Sequence, residues 1–108
     1  MVEAATLSDA KMAIRTRDFS KAVNIREPLS RKGDKEAQYH LAVLYRDGQG
    51  AREDAKKSGY WMNKSGSQGY KLSQYWMGVF YEEGIGVSQD LKKAAYWYKA
   101  AARQGYSN

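Results

Sequence analysis

The stretch DKEAQYHLAVLYRDGQGAREDAKKSGYWMNKSGSQG, residues 34–69, runs directly into YKLSQYWMGVFYEEGIGVSQDLKKAAYWYKAAARQG, residues 70–105. The two are copies of one unit offset by 36 positions: Tyr45 answers to Tyr81, Gly48 to Gly84, Gly50 to Gly86, Asp54 to Asp90, Trp61 to Trp97 and Gly69 to Gly105. A unit this short cannot bury an apolar face alone. It must lay that face against its neighbours, so the repeat predicts a stacked solenoid.

Each copy divides into two helices and two turns. After Gly33, Asp34 opens a helix whose Ala37, Leu41, Leu44 and Tyr45 recur at three- and four-residue steps and therefore share one face. Gly-Gln-Gly at 48–50 and Gly-Ile-Gly at 84–86 supply residues that tolerate positive φ, which ends a helix and turns the chain. Asp54 and Asp90 then stand where a carboxylate caps the unpaired amides of a second helix. Along that helix Leu91, Ala94, Ala95, Trp97, Tyr98, Ala101 and Ala102 form a wide apolar stripe, fit to touch both the partner helix and the next unit.

The rest of the chain agrees with an all-α reading. Its 108 residues are one domain's worth, with a single proline, Pro28, and no strictly alternating apolar run. Absence of cysteine excludes a disulfide framework and a thiolate metal site and is silent on compartment. No run approaches a membrane span, so the chain reads as soluble. The formal charge is +6, and by block it is spread: seven Lys and Arg against four acids in 1–33, six against five in 34–69, five against three in 70–108. That distribution favours a solvated basic surface over a dedicated nucleic-acid site.

Residues 4–33 read as a shorter, degenerate copy, with Asp18, Lys21 and Gly33 at the positions of Asp54, Lys57 and Gly69 and a tight turn at Thr16-Arg17-Asp18. Pro28 falls inside its second helix and predicts a bend near Asn24 to Arg26. In the middle copy Ser58, Gly59, Ser65 and Gly66 replace Ala94, Ala95, Ala101 and Ala102, so this hairpin is expected to be the softer one. The domain reading is thus one repeat domain over 1–108, with hairpins at 4–33, 34–69 and 70–105 and a short tail.

Ala-Gln-Tyr-His-Leu-Ala-Val-Leu-Tyr at 37–45, Gly48, Gly50, Asp54, Trp61 and Gly69, then Met77-Gly78, Tyr81, Gly84, Gly86-Val87, Asp90, Lys93-Ala94, Trp97, Ala101-Ala102 and Gln104-Gly105 together resemble the Sel-one-like repeat (SLR), an αα-hairpin relative of the tetratricopeptide repeat. Arg17-Asp18-Phe19, Ala22 and Pro28-Leu29 are similar to the tetratricopeptide-type hairpin that often precedes such arrays. Ala51 departs from the pattern, which prefers the larger Val seen at position 87. The resemblance implies a right-handed superhelix of about three hairpins whose first helices line a concave face. It also implies an adaptor, scaffold or regulator of protein complexes, in bacteria often exported. A periplasmic protein made with a cleaved signal fits that expectation, and an antidote to a secreted toxin is one specific form of it.

Candidate chemistry does not point to an enzyme. His40 is the only histidine, without companions at metal or triad spacing. The Gly-x-Gly turns lack the strand and third glycine of a dinucleotide fingerprint, and Glu82 and Glu83, consecutive on a helix, diverge by about 100°. No cofactor is expected. Laying the tetratricopeptide pattern over Leu41, Ala42 and Tyr45 as buried positions puts Tyr39, Val43, Arg46 and Asp47 on the inner face. The same overlay puts Tyr75, Val79, Glu82 and Glu83 there from the next copy, and Lys11 and Arg15 from the first hairpin. Two tyrosines flanked by bases at one end and acids at the other suit an extended peptide. The alternative is a nucleic-acid-binding repeat protein that uses the basic surface. Apolar positions around Tyr98, Ala102 and Tyr106 raise the further expectation of weak self-association at the C-terminal end.

Overall fold

The computed structural model describes residues 19–48 and 53–106, and these form five helices of equal length: α1 (Phe19–Arg31), α2 (Lys35–Asp47), α3 (Ala55–Ser67), α4 (Lys71–Glu83) and α5 (Leu91–Arg103). Helices α2 with α3 and α4 with α5 are the two complete hairpins among the described residues, and α1 packs on α2 ahead of them. Each helix packs on its successor, as a linear stack of short units requires. The Thr16–Asp18 turn, the first helix expected before α1, and Gly50 and Ala51 lie outside the described residues.

Local chemistry sets the ends of the helices. Asp34 accepts the Ala37 amide at 2.8 Å, Asp54 that of Lys57 at 3.0 Å, and Asp90 those of Lys92 and Lys93 at 3.1 Å, so all three aspartates are N-caps. Gly48 and Gly84 close α2 and α4 in the left-handed region, with φ of 69° and 71°. The chain then returns so that the amides of Asp54 and Asp90 bond the carbonyls of Tyr45 and Tyr81, both at 2.9 Å. Pro28 lies within α1, which runs unbroken across the residues where a bend was expected. Pro28 has no amide to donate to the Asn24 carbonyl, and Asn24 is an exposed residue.

The core is continuous between units. Ala22, Val23, Leu41, Leu44 and Tyr45 join α1 to α2, and Ala42, Met62, Met77 and Phe80 join α2, α3 and α4, with Trp61 packed against both clusters. Polar pins fix the register. Ser58 donates to the Ala42 carbonyl and Ser65 to that of Lys35, each at 2.7 Å, and Ser73 donates to Ser65 at 2.7 Å. A glutamine ladder recurs with the repeat: Gln38 bonds the Ser30 carbonyl (3.0 Å) and Gln74 that of Gly66 (3.1 Å), while Gln68 donates to Gln38 (2.9 Å) and Gln104 to Gln74 (2.8 Å).

The middle hairpin is therefore not simply soft. Its serines bond across helices, and a Cβ at Gly66 would come within 3.2 Å of the Trp97 ring and 3.5 Å of the Gln74 amide. Close approach explains that glycine.

Charge, spread by sequence block, is segregated by helix. Helices α2 and α4 hold Lys35, Arg46 and Lys71 against Glu36, Asp47, Glu82 and Glu83, whereas α3 and α5 hold Lys56, Lys57, Lys64, Lys92, Lys93, Lys99 and Arg103 and no acid. Alternation of the two helices within each 36-residue unit hides this from a block count.

Candidate functional site

Tyr39, Val43, Arg46 and Asp47 come from α2, and Tyr75, Val79, Glu82 and Glu83 stand at the equivalent positions of α4. The tyrosines and valines are half-buried, and Asp47, Glu82 and Glu83 are exposed. Lys11 and Arg15 lie outside the described residues.

Each tyrosine belongs to a repeated aromatic pair. Tyr39 meets Tyr70 with ring centroids 5.2 Å apart, and Tyr75 meets Tyr106, the residue equivalent to Tyr70, at 5.1 Å. Tyr75 also touches Trp76 at 5.4 Å and Tyr98 at 5.7 Å. The Tyr39 ring thus serves as a contact between units, and the Tyr75 ring as one within its own hairpin and to the tail, as well as surface. Burial pushes the Tyr39 phenol above its ordinary range, with the Trp76 side chain and the Arg46 cation pulling the other way.

Arg46 grips Asp47 in a fork, Nε to Oδ1 at 2.8 Å and Nη2 to Oδ2 at 3.2 Å, and its guanidinium carbon lies 4.3 Å from the centre of the Trp76 ring. Its Nη1 is buried without a hydrogen-bond partner. At the other end Tyr98 donates to Glu82 Oε1 at 2.7 Å, and burial together with that bond raises its pKa. The Tyr98 ring lies on Gly78, where a Cβ would sit 2.6 Å from it. One unit earlier the equivalent residues are Ala42 and Met62, buried in one cluster, so the larger side chain is matched by the smaller partner.

Tyr70, Trp76, Tyr98 and Tyr106 belong to this surface and were missing from the sequence-based set. Two of them break the repeat: Trp76 stands where the preceding copy has His40, and Tyr98 where it has Met62. Comparing copies finds what recurs and passes over what differs. Tyr70 and Tyr106 do recur, and their shared spacing was the available signal. His40 is half-buried, edge-on to Tyr39 at 5.0 Å and 3.8 Å from Glu36. Among the described residues no group of three or more His, Cys, Asp or Glu side chains is placed to hold a metal.

The family model of the Sel1 repeat matches residues 35–70 and again 71–106. The chain belongs to the Sel1 repeat family. Sel1 repeats act as protein–protein interaction modules on a scaffold fold. Among solved structures, a Sel1 repeat protein from Oxalobacter formigenes is 32% identical, with a TM-score of 0.81 over 83% of this chain and 26% of its own. A protective antigen present in uropathogenic Escherichia coli strains, with an SLR fold, is also 32% identical, with a TM-score of 0.84 over 90% of this chain and 22% of its own. The chain thus spans about a quarter of the length of each. Cysteine-rich protein B of Helicobacter pylori shares the fold at 16% identity, with a TM-score of 0.77 over 97% of this chain and 96% of its own. No curated protein sequence matches. Among the described residues no helix is long and apolar enough to cross a membrane.

Proposed function

We propose that this Sel1 repeat chain is an adaptor or regulatory protein that binds an extended segment of a partner along the α2 and α4 face. The observation that carries the reading is the recurrence of half-buried Tyr39 and Tyr75 one unit apart, each backed by a second tyrosine. Such rings offer a large contact area at low entropic loss. In this reading the Arg46 guanidinium takes an acidic group of the ligand at one end, and the exposed carboxylates of Glu82 and Glu83 take a basic group at the other. Lys11 and Arg15 extend the basic end in this reading. Export to the periplasm and neutralisation of a secreted toxin are its narrowest form, which predicts a one-to-one complex on size exclusion.

The test compares proteins captured from the native host by the wild type and by V79K/E83K, which keeps every ring. A partner retained by the wild type and lost by the variant, with both circular dichroism spectra helical, is the expected result. Equal capture by both overturns the assignment of the face. Tyr39→Ala with Tyr75→Ala is the less clean probe, because the Tyr39 ring also joins two units and the Tyr75 ring packs on Tyr98 and Tyr106.

A further inference from the structure

We propose that the outer faces of α3 and α5 form a second docking surface, which takes an acidic, aromatic-bearing segment of a partner protein. All seven cations of these two helices are exposed, and neither helix carries an acid. Their order along each helix is regular. Lys56, Tyr60 and Lys64 follow at successive four-residue steps, and Lys92, Tyr96, Lys99 and Arg103 at steps of four, three and four, so each set forms one stripe with a tyrosine inside it. Lys57 and Lys93 turn aside onto the rings of Tyr45 and Tyr81, at 5.3 and 5.4 Å. Five cations remain in the stripes.

The aromatic residues are as unusual as the charge. Among the described residues the exposed large apolar side chains are Tyr60 at 55%, Tyr96 at 64% and Leu91 at 66%, all on these two helices. Clefts flank Tyr60 on both sides. One of about 440 Å³ lies between Lys56, Asn63 and Lys64 and the loop residues Gly86 and Val87, and another of about 340 Å³ lies toward Arg31, Lys57 and Trp61. Glu27 borders the second cleft and is held by Arg31 at 2.8 Å. The capping carboxylates of Asp54 and Asp90 are confined to the starts of the helices.

A carboxylate-bearing chain fits better than a nucleic acid. The Lys64 ammonium lies 5.2 Å from the centre of the Tyr60 ring and Trp61 meets that ring nearly perpendicular at 5.0 Å, so less of the ring is open to a stacked base. Clefts beside it are of side-chain size, and lysines bind carboxylates as compact point charges. This surface lies on different helices from Tyr39 and Tyr75, so the two readings stand or fall separately.

The probe is a fluorescein-labelled peptide of alternating Glu and Gly carrying two Phe residues, read by anisotropy at low and moderate salt. K56E/K64E/K99E should weaken binding by about tenfold or more, while K32E/K35E/K71E, with the same change in net charge at other exposed lysines, should change it less than about threefold. Y60A/Y96A should weaken the Phe-bearing peptide and leave an all-Gly counterpart unchanged, and V79K/E83K should bind both normally. Equal losses from the two lysine triples would reduce the effect to net charge and overturn the proposal. So would absent binding, or an oligothymidine or anionic vesicles binding more tightly than the peptide with the same variant dependence.

Discussion

Arg26 stands where the next two copies have Met62 and Tyr98, and it is fully buried. Its Nε and Nη1 have no hydrogen-bond partner, and burial lowers its pKa while Glu36 and Asp34 act to raise it. A charge held so, with donors unsatisfied, destabilises relative to an apolar side chain of similar size. Arg26→Met should raise stability by about 1 to 3 kcal/mol in urea melts, and a loss would show that the charge is needed by its acidic neighbours. The two helical glycines of the middle hairpin separate for the same kind of reason. A Cβ at Gly59 meets Val87, Gly86 and Phe80 at 3.7 to 3.9 Å, ordinary contact, whereas at Gly66 it is crowded. Gly59→Ala should gain about 1 kcal/mol and Gly66→Ala should not; equal gains would remove close approach as the reason for Gly66.

Between helices, the glutamine ladder decides how one hairpin sits on the next. Gln74 is buried and bridges the Gly66 carbonyl and Gln104, while Gln104 itself is exposed. Gln74→Leu keeps the volume but strands those partners, so it should cost about 1 to 2 kcal/mol, against less than about 0.5 kcal/mol for Gln104→Ala at the surface. Comparable effects in thermal melts would mean that the ladder does not set register. The helix ends, by contrast, were readable from the sequence. Asp34, Asp54, Asp90, Gly48 and Gly84 act through bonds within a few residues of themselves, and such bonds leave their mark in the local pattern.

Across the molecule, Tyr39, Tyr70 and Tyr98 all have raised pKa values, burial being the first cause in each. Above about pH 10 the unfolded chain releases these protons first, so the folded state binds more and unfolding becomes easier as pH rises. The contribution is whole below that pH and is lost above it. Tyr98→Phe should flatten the alkaline decline in stability, and an unchanged slope would remove Tyr98 from the account. Stacking has a second consequence at this scale. Gly59, Met62 and Gly66 of α3 are buried, whereas their equivalents on α5, Ala95 and Ala102, are exposed and Tyr98 is half-exposed, beside exposed Leu91. Sedimentation at rising concentration should show weak self-association that Leu91→Asp reduces; a concentration-independent monomer would count against it.

The repeat by itself determined the helices, their caps, the turns between them and the stacked architecture, because each unit must bury the same face and so repeats the same residues. Tertiary structure decided what lies between helices. Trp76 under Arg46, Tyr98 on Gly78 and Arg26 at a core position all depend on which side chains meet across helices. Those meetings join positions far apart in the chain or unlike between copies, and neither periodicity nor a comparison of the copies registers them.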